Sequence, residues 1–363
     1  MPQPSLVSRT AAFERFTTAR HLPGLDGLRG LAILPVIWHH ATPRPLPGLL
    51  GKGAVGVDLF FALSGFLITT LLLRERRTRG TIALGAFFAR RSLRIFPLYY
   101  LVLAGYVALA LLQPRASAPA RHFLASLPYH ASYTANWFVD FKVPHDVMFA
   151  FSWSLCVEEQ YYWLWPLLVL WVKSRVLLAC ALLAALGCDG LLESGIIGGS
   201  GVAPGSTSWR ILTSFAAPIG CGSLLALALD TRRGFDATYR VLGWRGAAPL
   251  CLLLVIGLLA LPHTPYLALS TALACLVASA ALRPDSGLAW LLERPALRWV
   301  GAVSYGAYLL HVTALGLVRR ALPSLREEAW IVFGAGLPLS LLLAHGAFVL
   351  VERPLLRWRS RYR

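Results

Sequence analysis

Ten apolar stretches recur along the chain, at residues 25–43, 54–73, 95–113, 147–172, 176–190, 208–229, 246–262, 265–282, 299–318 and 329–352, with short polar or basic joints between them. About 20 apolar residues make one helical crossing of a bilayer. The pattern therefore predicts an all-α fold, a polytopic membrane helix bundle of ten transmembrane helices. The first stretch is the least apolar, and Pro35 within it removes a backbone donor and predicts a kink. The same pattern divides the chain into an N-terminal tail (1–24), a membrane domain (25–353) and a basic C-terminal tail (354–363). Internal repeats and low-complexity linkers are absent, and no second module is visible.

Composition agrees. Of 363 residues, 57% are hydrophobic and only 14% charged, far from the balance of soluble domains. Nothing before residue 31 offers the apolar core of a cleavable signal peptide, so the first span is expected to act as an uncleaved anchor. The formal charge of +17 raises nucleic acid as a partner, but the basic residues sit in short blocks between apolar spans, where topology already accounts for them. With the N-terminus inside, 24 of the 34 Lys and Arg residues face the cytoplasm, nine face the opposite side, and Arg29 lies within the first span. That asymmetry predicts a multi-pass protein of the cell membrane with both termini cytoplasmic. The six cysteines show neither C-x-x-C nor metal-ligand spacing and are read as buried small hydrophobes.

Against this background Arg29 and His40 stand out, with ten residues between them in one apolar stretch. Eleven helical steps return to within about 20° of the starting azimuth and advance about 16 Å. A guanidinium and an imidazole on one stripe imply a polar path leading inward from a membrane surface, because intramembrane ionisable groups are costly and seldom decorative. His39 points about 100° away from that stripe and ranks below His40.

Other polar groups gather near the spans. Arg74, Arg76, Arg77, Arg79, Arg90, Arg91 and Arg94 crowd the joint between the second and third spans. Positive-inside topology with anionic lipid contact explains Arg74 to Arg79. For Arg91 and Arg94, beside the aromatic helix entrance at Ile95–Tyr100, binding the phosphates of a cytoplasmic nucleotide-bearing donor is an equal alternative. Asp58, near the outer end of the second span, either orients and charge-balances His40 or caps a helix in a structural ion pair. Ser64 has no base placed beside it and reads as a packing residue.

The fourth span carries Trp153, Glu158 and Glu159 in an aromatic run. Neighbours on a helix diverge by about 100°, so one glutamate at most faces a given cavity. The pair also cannot flank a glycosidic bond from opposite sides, which excludes glycosidase geometry. In the ninth span Ser304 and His311 share a face, and an interhelical hydrogen bond is the expected role of His311. His122, His130, His145 and Asp146 fall in the long outer joint 114–146 with irregular spacing; a solvated loop touching an acceptor fits them better than a metal site. No metal is predicted.

These segments, in this order, resemble the integral-membrane acyltransferase 3 family. The resemblance rests on Arg29 to His40, the Gly56–Phe66 block, the Arg90–Pro97 block, the Trp153–Tyr161 block, the Ser304–His311 stretch and Glu352-Arg353-Pro354. It implies a ten-helix enzyme that takes an acyl group, commonly acetyl, from cytoplasmic acyl-CoA as co-substrate, with no bound cofactor, and passes it to a hydroxyl of a carbohydrate or glycan acceptor, often beyond the membrane. It makes Arg29 and His40 the essential pair and places Arg90, Arg91 and Arg94 on the donor side.

The expected chemistry is general-base catalysis by His40, with Asp58 or Glu159 steadying the imidazolium, while Arg29 attracts the donor's anionic part; an acyl-histidine step is the covalent variant. Two rivals stand beside it. One is a transporter or flippase whose Arg29, His40, Asp58 and Glu159 mark a substrate route. The other keeps the chemistry and acylates a secondary metabolite.

Overall fold

The computed structural model describes residues 6–19, 21–42, 46–114, 117–141, 148–193 and 206–358. His145, Asp146 and the last five residues of the C-terminal tail lie outside the described residues. Among the described residues all secondary structure is helical. In chain order the helices are α1 (Leu6–Thr18), α2 (Pro23–Ala41), α3 (Val55–Arg79), α4 (Leu84–Leu111), α5 (Ala118–Ala131), α6 (Ala135–Phe138), α7 (Ser152–Trp171), α8 (Arg175–Glu193) and α9 (Thr207–Leu212). They continue with α10 (Ala217–Leu229), α11 (Arg232–Leu242), α12 (Ala247–Ala260), α13 (Tyr266–Leu282), α14 (Ala289–Leu292), α15 (Pro295–Ala302), α16 (Ser304–Ala321), α17 (Ala329–Ala347) and α18 (Arg353–Trp358). Short 3₁₀ turns occupy Gly48–Gly51 and Pro323–Leu325, and a π-helical turn, Phe348–Glu352, follows α17.

Each of the ten apolar stretches coincides with a helix, but the number of membrane spans that length and composition support is smaller. Four segments qualify alone: Val55–Arg79, Leu84–Leu111, Thr207–Leu229 and Ala329–Trp358. Counting the bent pairs α11 with α12 (72°) and α15 with α16 (76°) as single spans gives six. The shortfall from ten has a plain cause in α2, where Asp26, Arg29 and the two histidines dilute the apolar window, and in α13, which has only 17 residues.

Two boundaries also move. Helix α3 runs on through the arginines to Arg79 and ends at Gly80, whose φ of 74° is the left-handed conformation a helix terminus favours. Helix α4 begins at Leu84, so Arg90, Arg91 and Arg94 lie within a helix rather than ahead of one. Arginine is a good helix former, and its aliphatic stem lies along apolar surface.

The chain divides into two compact units. The first comprises residues 1–82, 172–186 and 217–344. Its core is built by α1, α2, α3, α10, α11, α12 and α13 around Leu28, Phe66, Leu229, Phe235, Leu273 and Val277. Helix α1, within the segment assigned to a tail, buries Phe16 in this core, and Phe13 meets Phe235 edge-on at 5.1 Å. The end of α3 fastens α1: Arg74 donates to the carbonyls of Phe16 and Ala19, and its guanidinium lies 5.1 Å from the Phe16 ring. Arg77 and Arg175 both pair with the buried carboxylate of Asp230.

The second unit comprises residues 83–171, 187–216 and 345–363. An aromatic cluster of Tyr99, Tyr106, Phe123, Tyr133, Phe149 and Phe151 encloses His130. The outer joint is therefore not a solvated loop. It folds as α5 and α6, and His130 is fully buried, its Nδ1 hydrogen-bonded to Ser152 Oγ at 2.9 Å. The hydroxyls of Tyr99 and Tyr100 donate to the carbonyls of His130 and Ala131 at 2.7 and 2.8 Å. Tyr133 and Phe149 hold positive φ, 55° and 63°, a conformation that side-chain-bearing residues adopt only when their surroundings impose it.

The cysteines divide as well. Cys156, Cys221 and Cys251 are buried and Cys275 is partly so. Cys180 and Cys188 are exposed on α8, whose Val176, Leu177 and Leu183 form an outward apolar face of the kind that lipid covers.

Candidate functional site

Helix α2 is one uninterrupted element through Pro35, and it carries Arg29, half-buried, and His40 near its C-terminal end. Close backbone approach fixes it on two sides. A Cβ on Gly56 of α3 would collide with the Ala32 carbonyl, and one on Gly301 of α15 with the Asp26 carbonyl, so glycine is required at both positions. Near the end of α2, Trp38 donates its indole N–H to the Leu50 carbonyl at 2.8 Å, tying the Gly48–Gly51 turn to the helix.

His40 Nδ1 lies 3.0 Å from the Val36 carbonyl, one turn back. A carbonyl can only accept, so in the neutral ring Nδ1 carries the proton and Nε2 is the basic nitrogen. The ring meets that of His311 on α16 edge to face, with centroids 4.7 Å apart. His311 is fully buried, and its Nδ1 pairs within its own helix with the Tyr308 carbonyl at 2.6 Å, not across helices as expected. His39 is exposed, its ring 5.2 Å from that of His40.

Asp58 lies in the first turn of α3, and its Oδ1 accepts a hydrogen bond from the Tyr266 hydroxyl of α13 at 3.0 Å. The proton of His40 Nδ1 is thus held by a backbone carbonyl where a carboxylate had been considered. Ser64 is buried within α3. Arg319, near the end of α16, donates to the carbonyls of His40 and Ala41 at 2.8 and 3.1 Å. Sequence reasoning did not single it out. The available signal was its place among the nine cations on the minority side, which charge asymmetry leaves unexplained.

The remaining candidates belong to the second unit. The Arg91 guanidinium lies 4.8 Å from the Tyr162 ring, and the Tyr162 hydroxyl donates to Glu158 Oε1 at 2.6 Å. Glu158 and Glu159 both lie within electrostatic reach of Arg91. Of the two, Glu159 is the buried one, and its Oε2 has no hydrogen-bond partner, whereas Glu158 is half-buried. Trp153 is exposed at the start of α7. Arg90 and Arg94 are half-buried on α4, and Glu352, buried in the π-helical turn, feels the charge of Arg94. Among the described residues, no group of three or more His, Cys, Asp or Glu is arranged to hold a metal ion.

Residues 22–347 match the profile of a family described as an acyltransferase domain. The chain is 30% identical to a protein of Bacillus subtilis (strain 168) provisionally named a peptidoglycan O-acetyltransferase, YrhL, with 82% of this chain and 49% of that protein covered. It is 27% identical to the peptidoglycan O-acetyltransferase OatA of Listeria monocytogenes, covering 96% of this chain and 57% of the relative. It is 26% identical to a provisionally named O-acetyltransferase of Staphylococcus aureus (strain MRSA252), covering 98% and 62%. The chain thus spans between about half and three fifths of the length of these relatives. No solved structure matches it.

Proposed function

The chain belongs to the acyltransferase 3 family, and on that premise we propose that it is a membrane O-acetyltransferase, moving an acetyl group from cytoplasmic acetyl-CoA to a hydroxyl of a cell-envelope carbohydrate. Peptidoglycan is the acceptor named for two of the relatives, and it is the first acceptor to test. The lopsided distribution of Lys and Arg supports a ten-span arrangement with both termini cytoplasmic, the bent and short helices included.

The observation that carries the reading is the tautomer of His40, whose Nδ1 proton is committed to the Val36 carbonyl so that Nε2 is the base. Nε2 removes the acceptor hydroxyl proton as that oxygen attacks the thioester carbonyl. The tetrahedral intermediate collapses with cleavage of the C–S bond, and the imidazolium returns the proton to the departing CoA thiolate. The products are an acetyl ester and free CoA, and the enzyme is unchanged. Arg29, deeper on the same helix, attracts the anionic part of the donor. In the second unit, taken by itself, Arg90, Arg91 and Arg94 are assigned to the donor phosphates.

The test is incubation of the purified protein in lipid nanodiscs with labelled acetyl-CoA and a panel of glycans including peptidoglycan fragments. Wild type forms a labelled ester and His40→Ala forms none. A transporter would form none in either case, and near-normal turnover by His40→Ala would remove His40 from the mechanism.

A further inference from the structure

A helix ends with four carbonyls that have no partner within it. At the end of α2 each is accounted for. The Trp38 carbonyl accepts from the Thr42 backbone N–H at 3.2 Å, and the His39 carbonyl from the Thr42 hydroxyl at 2.8 Å. The last two, of His40 and Ala41, both accept from one terminal nitrogen of Arg319. That nitrogen has two hydrogens, and the planar guanidinium presents both in fixed directions, as a lysine ammonium does not. The cation also answers the partial negative charge at a helix C-terminus.

The clamp bears on the imidazole because the ring is held by the same turn. His40 Nδ1 is anchored to the Val36 carbonyl, so the direction of Nε2 follows the backbone of residues 36–41. The helix that supplies Arg319 also supplies His311, eight residues or about 12 Å earlier, and that ring abuts His40 at 4.7 Å. Helix α16 therefore grips His40 twice, through its ring and through its carbonyl. We propose that Arg319 is a positioning residue for acyl transfer, fixing the last turn of α2 so that Nε2 of His40 keeps its aim. The inference rests on His40 being the base.

The experiment compares wild type, His40→Ala, Arg319→Lys, Arg319→Met and Arg319→Ala in nanodiscs, reading kcat, KM for acetyl-CoA and monodispersity on size exclusion. A misplacement of about 1 Å costs about 100-fold in rate. Arg319→Met is expected to lose about that in kcat with donor KM within about threefold of wild type. Arg319→Lys recovers part of the loss, and added guanidinium ion restores turnover in Arg319→Ala. Full kcat in Arg319→Met overturns the proposal while His40→Ala stays inactive. So does a loss confined to donor KM, or loss of the monodisperse peak in every Arg319 variant, since Arg319 would then serve donor binding or the fold. Activity in His40→Ala instead overturns the reading beneath it, and the two failures are told apart by which variant retains turnover.

Discussion

Tyr266 donates its hydroxyl proton to Asp58 at 3.0 Å across 208 residues of sequence, joining the first turn of α13 to the first turn of α3. The contact separates Asp58 from the role of a direct partner to the His40 ring and makes it a fastening between two helices.

Removing that donor strands a half-buried carboxylate. Tyr266→Phe is expected to destabilise the protein by about 1–3 kcal/mol. Asp58→Asn, which keeps an acceptor, should cost less. A double-mutant cycle on thermal melts measures the coupling, and an additive pair would show that the hydroxyl and the carboxylate act independently.

Asp230 is held by Arg77 and Arg175, and its side chain is 6% exposed against 33% and 41% for theirs. The arginines can turn to water and the carboxylate cannot. Arg77→Ala with Arg175→Ala should therefore cost most, about 3–5 kcal/mol, because it leaves a buried charge without a partner. Arg175→Ala alone should cost about 1 kcal/mol, since the more exposed pair is screened and Arg77 remains. The order of melting temperatures checks this ranking.

Burial pushes His130 down to about 4 from the ordinary imidazole value near 6.5. The folded state prefers the neutral ring, so the unfolded chain binds more protons between those values. Stability contributed by this group is complete above pH 6.5 and falls as pH drops toward 4, by an amount on the order of 3 kcal/mol. Melting curves from pH 7 to 4 should show this loss, and His130→Phe should flatten the curve. An equal slope in the variant would assign the acid sensitivity elsewhere.

Arg91→Ala with Arg94→Ala tests the donor assignment. Two charge-assisted contacts to phosphate are worth about 1.5–3 kcal/mol each, so the double variant should raise KM for acetyl-CoA at least about tenfold, with a smaller change in kcat. An unchanged donor KM would leave both arginines to packing with Tyr162 and the nearby glutamates.

Much of the fold was legible because hydrophobic runs of span length leave little choice but helix; all ten stretches are helical. What the pattern missed follows from its averaging. Helix α1 is short and mixed in polarity, so only contact with Arg74, Arg77 and Phe235 reveals that it is packed. His130 looked solvated because its neighbours in sequence are polar, whereas its neighbours in space are aromatic rings contributed by α4 and by Phe149 and Phe151. Spacing put Arg29 and His40 on one helix, but it could not announce Arg319, whose partners are backbone carbonyls 278 and 279 positions away. A carbonyl has no residue type, and a motif has no means to record it.

The wide turn at Phe348–Glu352 fits one residue more than an ordinary helix would hold in the same rise. Deleting a single residue from it would let the helix close to regular winding and swing everything downstream by about 100°. Glu352 would then leave the side of α4 on which Arg94 lies, although no atom of either residue had been changed. Length, and not only identity, is thus under constraint in this stretch: a conservative substitution at Val349 or Leu350 should pass almost unnoticed, whereas a one-codon deletion there should not.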